Sequence, residues 1–240
     1  MIQIDDDAII LSTRKHAENS TVLQMLTRNH GVYHGVVRYG ATSRMRGIIQ
    51  PGNIVHAQWS ARLEEHMGTI KAEMKHGLAA AIMADGLGLA ALASLCALLR
   101  TTLPERHAYP KLYDAATAML TQLATQPASQ CMKAYAQFEL LLLSECGFGL
   151  DLSSCAATGA TEDLIYVSPK SGRAVSRQAG EPYKDKMLNL PAFFVSNPPP
   201  LPHHPILDAF TLTGYFLEHW LMESLHKKMP QARERLIKML

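Results

Sequence analysis

The sequence predicts an α+β protein in which a small closed sheet comes first and a helical bundle follows. Three observations carry this reading. Residues 8 to 75 hold about five short apolar runs separated by turn-forming residues. From His76 onward, apolar residues recur at three- and four-residue spacing, the period of a buried helix face. Between Gly149 and residue 190 that period disappears, and a stretch rich in Gly, Ser and Thr reads as a hairpin or ribbon inserted among helices.

The strands follow in order. "AIILSTRK" is the first. "STVLQMLTR" and "VYHGVVRYG" flank "NHG", whose Asn and Gly tolerate the positive φ that a tight turn demands. Pro51-Gly52 marks a turn before "IVHAQWSARL", and "GTIKAEMK" completes the set. Five short strands in so few residues match the five-stranded OB-fold barrel. The expected boundaries are an OB-fold domain over 1–77 and a helical domain over 78–240, interrupted by the insert at 149–190.

Four helices and a short terminal one are expected beyond the barrel. Leu78 to Leu99 reads as one Ala-rich helix, stopping near Pro104. "YPKLYDAATAMLTQLAT" is the second, ending before Pro127. "QCMKAYAQFELLLLSECG" is the third, with Gly147 just past its end. "NPPPLPHHP" is a rigid connection, "ILDAFTLTGYFLEHWLMESLHKK" a fourth helix, and "QARERLIKML" the last. In the insert, "DLIYVSP" and "GRAVSRQ" are expected to pair through "KSG", packed by Leu164, Ile165, Tyr166 and Val175.

Composition narrows the function classes. The chain has 240 residues, 48% hydrophobic, with a net charge of +2, which suits one good core or two small domains and argues against disorder. Cys96, Cys131, Cys146 and Cys155 form no disulfide framework, so a reducing cytosol is expected. "MIQIDDDAII" has no basic n-region and is not a signal peptide. Leu78–Leu99 is long enough to span a bilayer, but it is alanine-rich, contains Asp85 and lacks an aromatic belt, so a soluble helix and no membrane association are expected.

Charge is unevenly distributed. No acid lies between Glu18 and Glu64, a span holding Arg28, Arg38, Arg44, Arg46 and Arg62 with His30, His34 and His56. Arg38, Arg44 and Arg46 bracket "YGATSRM", read as a small-residue loop between strands that can approach phosphates, with Tyr33, Tyr39 or Trp59 as stacking surfaces. Further basic sets are Lys170, Arg173, Arg177, Lys184 and Lys186 in the insert, and Lys227, Lys228, Arg233, Arg235 and Lys238 at the end. The acids gather elsewhere, notably Glu139, Glu145, Asp151, Glu162 and Asp163, an asymmetry that suits a polyanion-binding face.

Catalytic signatures are missing. There is no Walker A sequence, no GxGxxG and no GxSxG. His30 and His34 straddle a turn and not a helix turn, so they are not a metal pair. Asp5-Asp6-Asp7 reads as an acidic arm ahead of the first strand. "SPKSGRAVS" offers a hydroxyl and a lysine with no base at a defined spacing. No catalytic residue and no cofactor is expected.

Three stretches together resemble the RecO family of bacterial DNA-repair proteins: "AENSTVLQMLTRNHGVYHGVVRYGATS" at 17–43, "ECGFGLDLSSCAATGATEDLIYVSPKSGRAVS" at 145–176, and "GYFLEHWLMESLHKKMPQARERL" at 214–236. The second is the most specific. The resemblance implies a recombination mediator and not an enzyme. It implies binding to single- and double-stranded DNA, annealing of complementary strands, association with RecR and with the single-stranded DNA-binding protein, and help in loading RecA in the RecF pathway. RecF and RecA would be indirect partners, and the location cytoplasmic, at the nucleoid. Arg38, Arg44 and Arg46 match the family's basic barrel loop and are the expected primary DNA contacts. Arg14, Lys15, Lys71 and Lys75 are secondary, and Lys170, Arg173 and Arg177 would extend the path. The alternative is a barrel that binds a protein partner and not DNA.

Some members of that family hold zinc in the insert through two close cysteine pairs. Here Cys155 stands alone at the first position, Thr158 occupies the place of its partner, and Ser176 falls where the second pair would be. A structural zinc takes four N or S ligands, so the ribbon is expected to keep its hairpin and hold no metal.

Overall fold

The computed structural model describes residues 2–63, 66–195 and 205–240. They fall into two compact units, Met1–Ser129 with Pro230–Leu236, and Gln130–Met229 with Ile237–Leu240.

The first unit is built on a barrel of β1 (Ile2–Ala17), β2 (Ser20–Thr27), β3 (Gly31–Arg38), β4 (Ile54–Ala61) and β5 (Thr69–His76). Its strand order is β1-β2-β3-β5-β4, closed by β1 against β4, and β3 meets β5 in parallel at Val36–Thr69. This is the expected OB-type barrel. Inward residues alternate along each strand, so Ala8, Ile10, Leu23, Met25, Tyr33, Val37, Val55, Ala57, Trp59 and Ile70 form one core. Ile9, Leu11 and Leu26 are also buried, outside that core set, and helix α3 (Gly86–Thr102) packs on β1.

Three sequence expectations change here. First, β1 begins at Ile2, so Asp5–Asp7 are paired strand residues and not an arm; Asp5 lies opposite Gln58 and Asp7 opposite His56. Asp6 is buried because its carboxylate accepts the Asn29 backbone and side-chain N–H groups at 2.7 and 3.0 Å, holding the β2–β3 turn. Second, Ser43–Ile48 is a short helix, α1, and not a loop. Thr42 caps it, and Met45, Ile48 and Ile49 pack on the barrel core. Third, Leu78–Leu99 is two helices, α2 (Ala79–Met83) and α3, with the break at Asp85. Its carboxylate accepts the Leu87 and Gly88 N–H groups at 2.9 and 3.4 Å, an N-cap in mid-run. Helix α4 (Pro110–Thr125) follows as expected, with Pro in its first turn.

The second unit contains α5 (Ala128–Glu145), closed by a Schellman pair in which Phe148 N–H bonds Leu143 C=O at 2.8 Å and Gly147 N–H bonds Ser144 C=O at 3.0 Å. The insert forms its hairpin from β6 (Leu164–Val167) and β7 (Ala174–Ser176), and Leu164, Ile165, Tyr166 and Val175 are buried. A third strand, β8 (Leu188–Asn189), pairs with β6; its two residues are too few to give a period in the sequence. Between them lie α6 (Arg177–Gly180) and a 3₁₀ turn. Helix α7 (Pro205–Phe216) passes into a π-helical segment over Leu217–Met222. Trp220 of that segment meets the hairpin turn so closely that a Cβ on Gly172 would lie 2.8 Å from its ring. Helix α8 (Gln231–Ile237), which belongs to the first unit through Leu236, is the last regular element. The connection 197–205 lies outside the described residues except for Pro205. No helix among the described residues is long and apolar enough to cross a membrane.

Candidate nucleic-acid interface

The site is built at the end of the barrel where β1, β2, β3 and α1 meet. Strand register places Lys15 opposite Thr21, Arg14 opposite Val22, and Arg38 opposite Ser20. Thr21 faces inward, so Lys15 lies on the inner phase at the barrel mouth, whereas Arg14 and Arg38 share the outer phase on either side of β2. Two strand spacings put them on the order of 10 Å apart.

Helix α1 supplies the other two arginines. Because Met45, Ile48 and Ile49 pack on the core, Arg44 and Arg46 are left exposed, about 200° apart around the axis. The helix is anchored at both ends. Thr42 Oγ1 accepts the Met45 N–H at 3.4 Å, and buried Asn53 donates through Nδ2 to the carbonyls of Gly47 and Ile48 at 2.9 and 3.2 Å. A groove of about 480 Å³ results, lined by Lys15 and Arg46 with Thr21, Gly40, Ala41 and one acid, Glu18. Among the described residues no ion pair engages Arg14, Lys15, Arg38, Arg44 or Arg46. Lys15 and Arg46 thus line the groove beside Glu18, while Arg14, Arg38 and Arg44 stand on the adjoining strands and helix. Cations without ion-pair partners give such a surface a positive local field.

The other predicted cations are placed differently. Lys71 and Lys75 lie on the outer face of β5, Lys71 opposite Gln58, which donates to Asp5 at 3.0 Å. Lys75 is paired with Asp7. Burial pushes the Asp7 carboxyl up, but the Lys75 ammonium and His56 outweigh it and bring it below the usual carboxylate range. In the second unit Arg173 pairs with Asp151 at 3.1 Å and Arg177 with Asp163 at 3.1 Å, so the insert largely neutralises its own charge; Lys170 stands exposed in the hairpin turn. Of the terminal basic set, Arg233 is buried, and so is Glu139 of the acidic set, which accepts from Thr213.

The acid-free span of the sequence is therefore not acid-free in space. Arg28 makes a two-pronged bond to Asp114 of α4 at 2.9 and 3.0 Å. That guanidinium holds the Asp114 carboxyl below its ordinary range. His34 meets Glu105 at 2.9 Å, His30 meets Asp6 at 3.1 Å, and His56 meets Asp5 at 2.8 Å. Distant segments bring these acids in, which local sequence does not reveal. Of the three proposed stacking rings, Tyr33 and Trp59 belong to the core, edge to face at 5.1 Å, and Trp59 Nε1–H donates to the His34 and Met67 carbonyls at 2.9 and 3.0 Å. Tyr39 is exposed.

The insert's donor set does not suit zinc. Cys155 is buried, and its sulfur accepts the Ser176 N–H at 3.3 Å and the Ser176 hydroxyl at 3.4 Å. Burial pushes the thiol up, but the hydroxyls of Ser176 and Thr158 and the N–H groups of Ser176 and Ala157 bring it to about 6. No group of three or more His, Cys, Asp or Glu side chains able to hold a metal occurs among the described residues.

Comparison with known proteins agrees with this architecture. The family model described as "Recombination protein O N terminal" matches residues 1–78, and "Recombination protein O C terminal" matches residues 83–229. The chain is similar to the DNA repair protein RecO of Rhodospirillum centenum, 45% identical over 97% of this chain and 92% of that one. It is similar also to the RecO proteins of Dinoroseobacter shibae, 44% identical over 100% and 98% of the two chains, and of Mesorhizobium japonicum, 47% identical over 95% and 89%.

Proposed function

This chain belongs to the RecO family of DNA-repair proteins, and from that premise we propose that it is a non-catalytic recombination mediator acting in the cytoplasm at the nucleoid. It binds single- and double-stranded DNA through the cationic end of the barrel, brings complementary strands together, and with RecR assists the loading of RecA on strands coated by the single-stranded DNA-binding protein, with RecF and RecA as indirect partners. The observation that carries this reading is that Lys15 and Arg46 line one groove, with Arg14, Arg38 and Arg44 on the adjoining strands and helix, all five without ion-pair partners among the described residues.

The mechanism is electrostatic. Annealing requires two polyanions to approach each other, and arginine contacts that release condensed counterions lower the repulsion between them. Contacts to phosphate carry no sequence information, which suits a mediator that acts on any gap. Lys170, Arg173 and Arg177 are the proposed extension of the path; the last two would exchange their aspartate partners for phosphate, while Lys71 and Lys75 serve as outlying contacts.

The test is an annealing assay on complementary strands coated with the single-stranded DNA-binding protein. Acceleration by the purified chain, lost when Arg38, Arg44 and Arg46 are all replaced by Ala, supports the reading. A chain that neither anneals nor binds DNA at low salt leaves the adaptor reading, a barrel that binds protein.

A further inference from the structure

We propose that Tyr39 is the stacking platform on which the barrel holds an unpaired base, so that it favours single-stranded over duplex DNA; the inference rests on the reading of the neighbouring groove as a DNA site. Four observations meet at this residue. Its side chain is the most open of the large apolar ones, at 68% exposure, and no ring or cation packs on it among the described residues. Its backbone has φ of +57°, a conformation that a bulky residue adopts at a cost and that recurs at binding sites. That conformation is held from both sides. The Thr42 N–H and hydroxyl both donate to the Tyr39 carbonyl, at 3.0 and 2.8 Å. Gly40 sits so close to β2 that a Cβ there would lie 2.8 Å from Thr21 Cβ. Finally, Tyr39 directly follows Arg38 and precedes Gly40 and Ala41, which line the groove together with Lys15, Arg46 and Glu18.

A strand-to-helix turn needing a left-handed residue is served best by Gly or Asn, so the tyrosine is not explained by the turn. An exposed ring close in the chain to unpaired cations suits single-strand binding, in which cations follow the backbone and a ring takes the face that every base presents. Bases within a duplex already stack on one another, and so the gain belongs to single strands alone.

The experiment measures binding of the full chain to an oligothymidine strand, to a duplex of equal length and to an abasic strand, as a function of salt. Tyr39→Gly removes the ring and is at ease at φ of +57°, which preserves the fold; Tyr39→Phe keeps the ring. The expected result is a loss of roughly five- to a hundredfold for Tyr39→Gly on oligothymidine, no loss on the duplex or abasic strand, an unchanged salt slope, and full binding by Tyr39→Phe. An equal loss on all three ligands, a loss with Tyr39→Phe, or no loss anywhere while the salt slope stands would overturn the role of Tyr39 and leave the cationic groove intact. Absence of salt-dependent binding by the unaltered chain overturns both.

Discussion

Asp85 accepts the backbone N–H of Ala128 at 3.2 Å on one carboxylate oxygen while the other holds the N–H groups of Leu87 and Gly88. The one charged residue in the most apolar run of the chain is thus a structural node, which breaks a continuous helix into α2 and α3. The Ala128 bond first, then that of Gly88, keeps its carboxyl below the usual carboxylate range.

Replacing Asp85 by Ala leaves three backbone donors without this acceptor and should lower the thermal midpoint by several degrees, whereas Asp85→Asn, a good capping residue, should lower it less. The sign with pH follows from the depressed carboxyl: its contribution is complete above the unfolded value and is lost as pH falls through the folded one. The gap between the wild-type and Asp85→Ala midpoints should therefore close in strong acid. Equal midpoints at neutral pH would remove Asp85 from this role.

Trp59 anchors the barrel core with its ring against Tyr33 and its indole N–H shared by two carbonyls. Trp59→Ala should cost about 3–5 kcal/mol in denaturant unfolding. Trp59→Phe keeps a ring but strands the carbonyls of His34 and Met67, and about 1–3 kcal/mol is expected from that loss. A stability change within error for Trp59→Phe would show that water reaches these carbonyls.

Cys155 should behave as an acidic thiol and not as a metal ligand. Thiolate absorbance, taken as the difference between wild type and Cys155→Ala, should titrate near pH 6, well below an ordinary thiol. Because the folded value is depressed, this group's contribution to stability grows as pH rises from about 6 and is complete above about 9. Metal analysis should find no stoichiometric zinc, and a chelator should leave the melting curve unchanged. A thiol that titrates in the ordinary range, or melting that falls on chelation, would refute the assignment.

Arg28 and Arg46 offer a controlled contrast. Both stand in the acid-free span of the sequence, but Asp114 neutralises Arg28, whereas Arg46 lines the groove. Arg46→Ala should weaken DNA binding and shallow its salt dependence, and Arg28→Ala should do neither. A larger effect from Arg28 would move the DNA path to the α4 side of the barrel.

The barrel was legible because period-2 burial and turn residues are local signals, and the same holds for α4, α5 and the hairpin. Helix α1 was missed although its signals were present: Thr42 as cap and Met45, Ile48 and Ile49 at helical spacing. Six residues are too few for the pattern to stand out against the small residues before them. In the sequence Asp85 speaks only against a membrane span, because capping in mid-run is visible only when the chain is seen to turn. The cation set was half legible. Register and α1 place Arg14, Lys15, Arg38, Arg44 and Arg46 on neighbouring elements, with Lys15 and Arg46 on one groove. The partners of Arg28, Lys75, Arg173 and Arg177, however, come from the fold or from pairing geometry, which spacing along the chain does not encode.

The central claim, that the groove beside α1 is the DNA contact, is tested most directly by the salt dependence of single-strand binding with and without its cations. Replacing Arg14, Lys15, Arg38, Arg44 and Arg46 by Ala should shallow the slope of log K against log salt by roughly 2 to 3.5, as expected if three to five of them reach phosphates. Affinity should fall alike for all base sequences. An unchanged slope in a folded variant would contradict the account and place the DNA elsewhere on the chain.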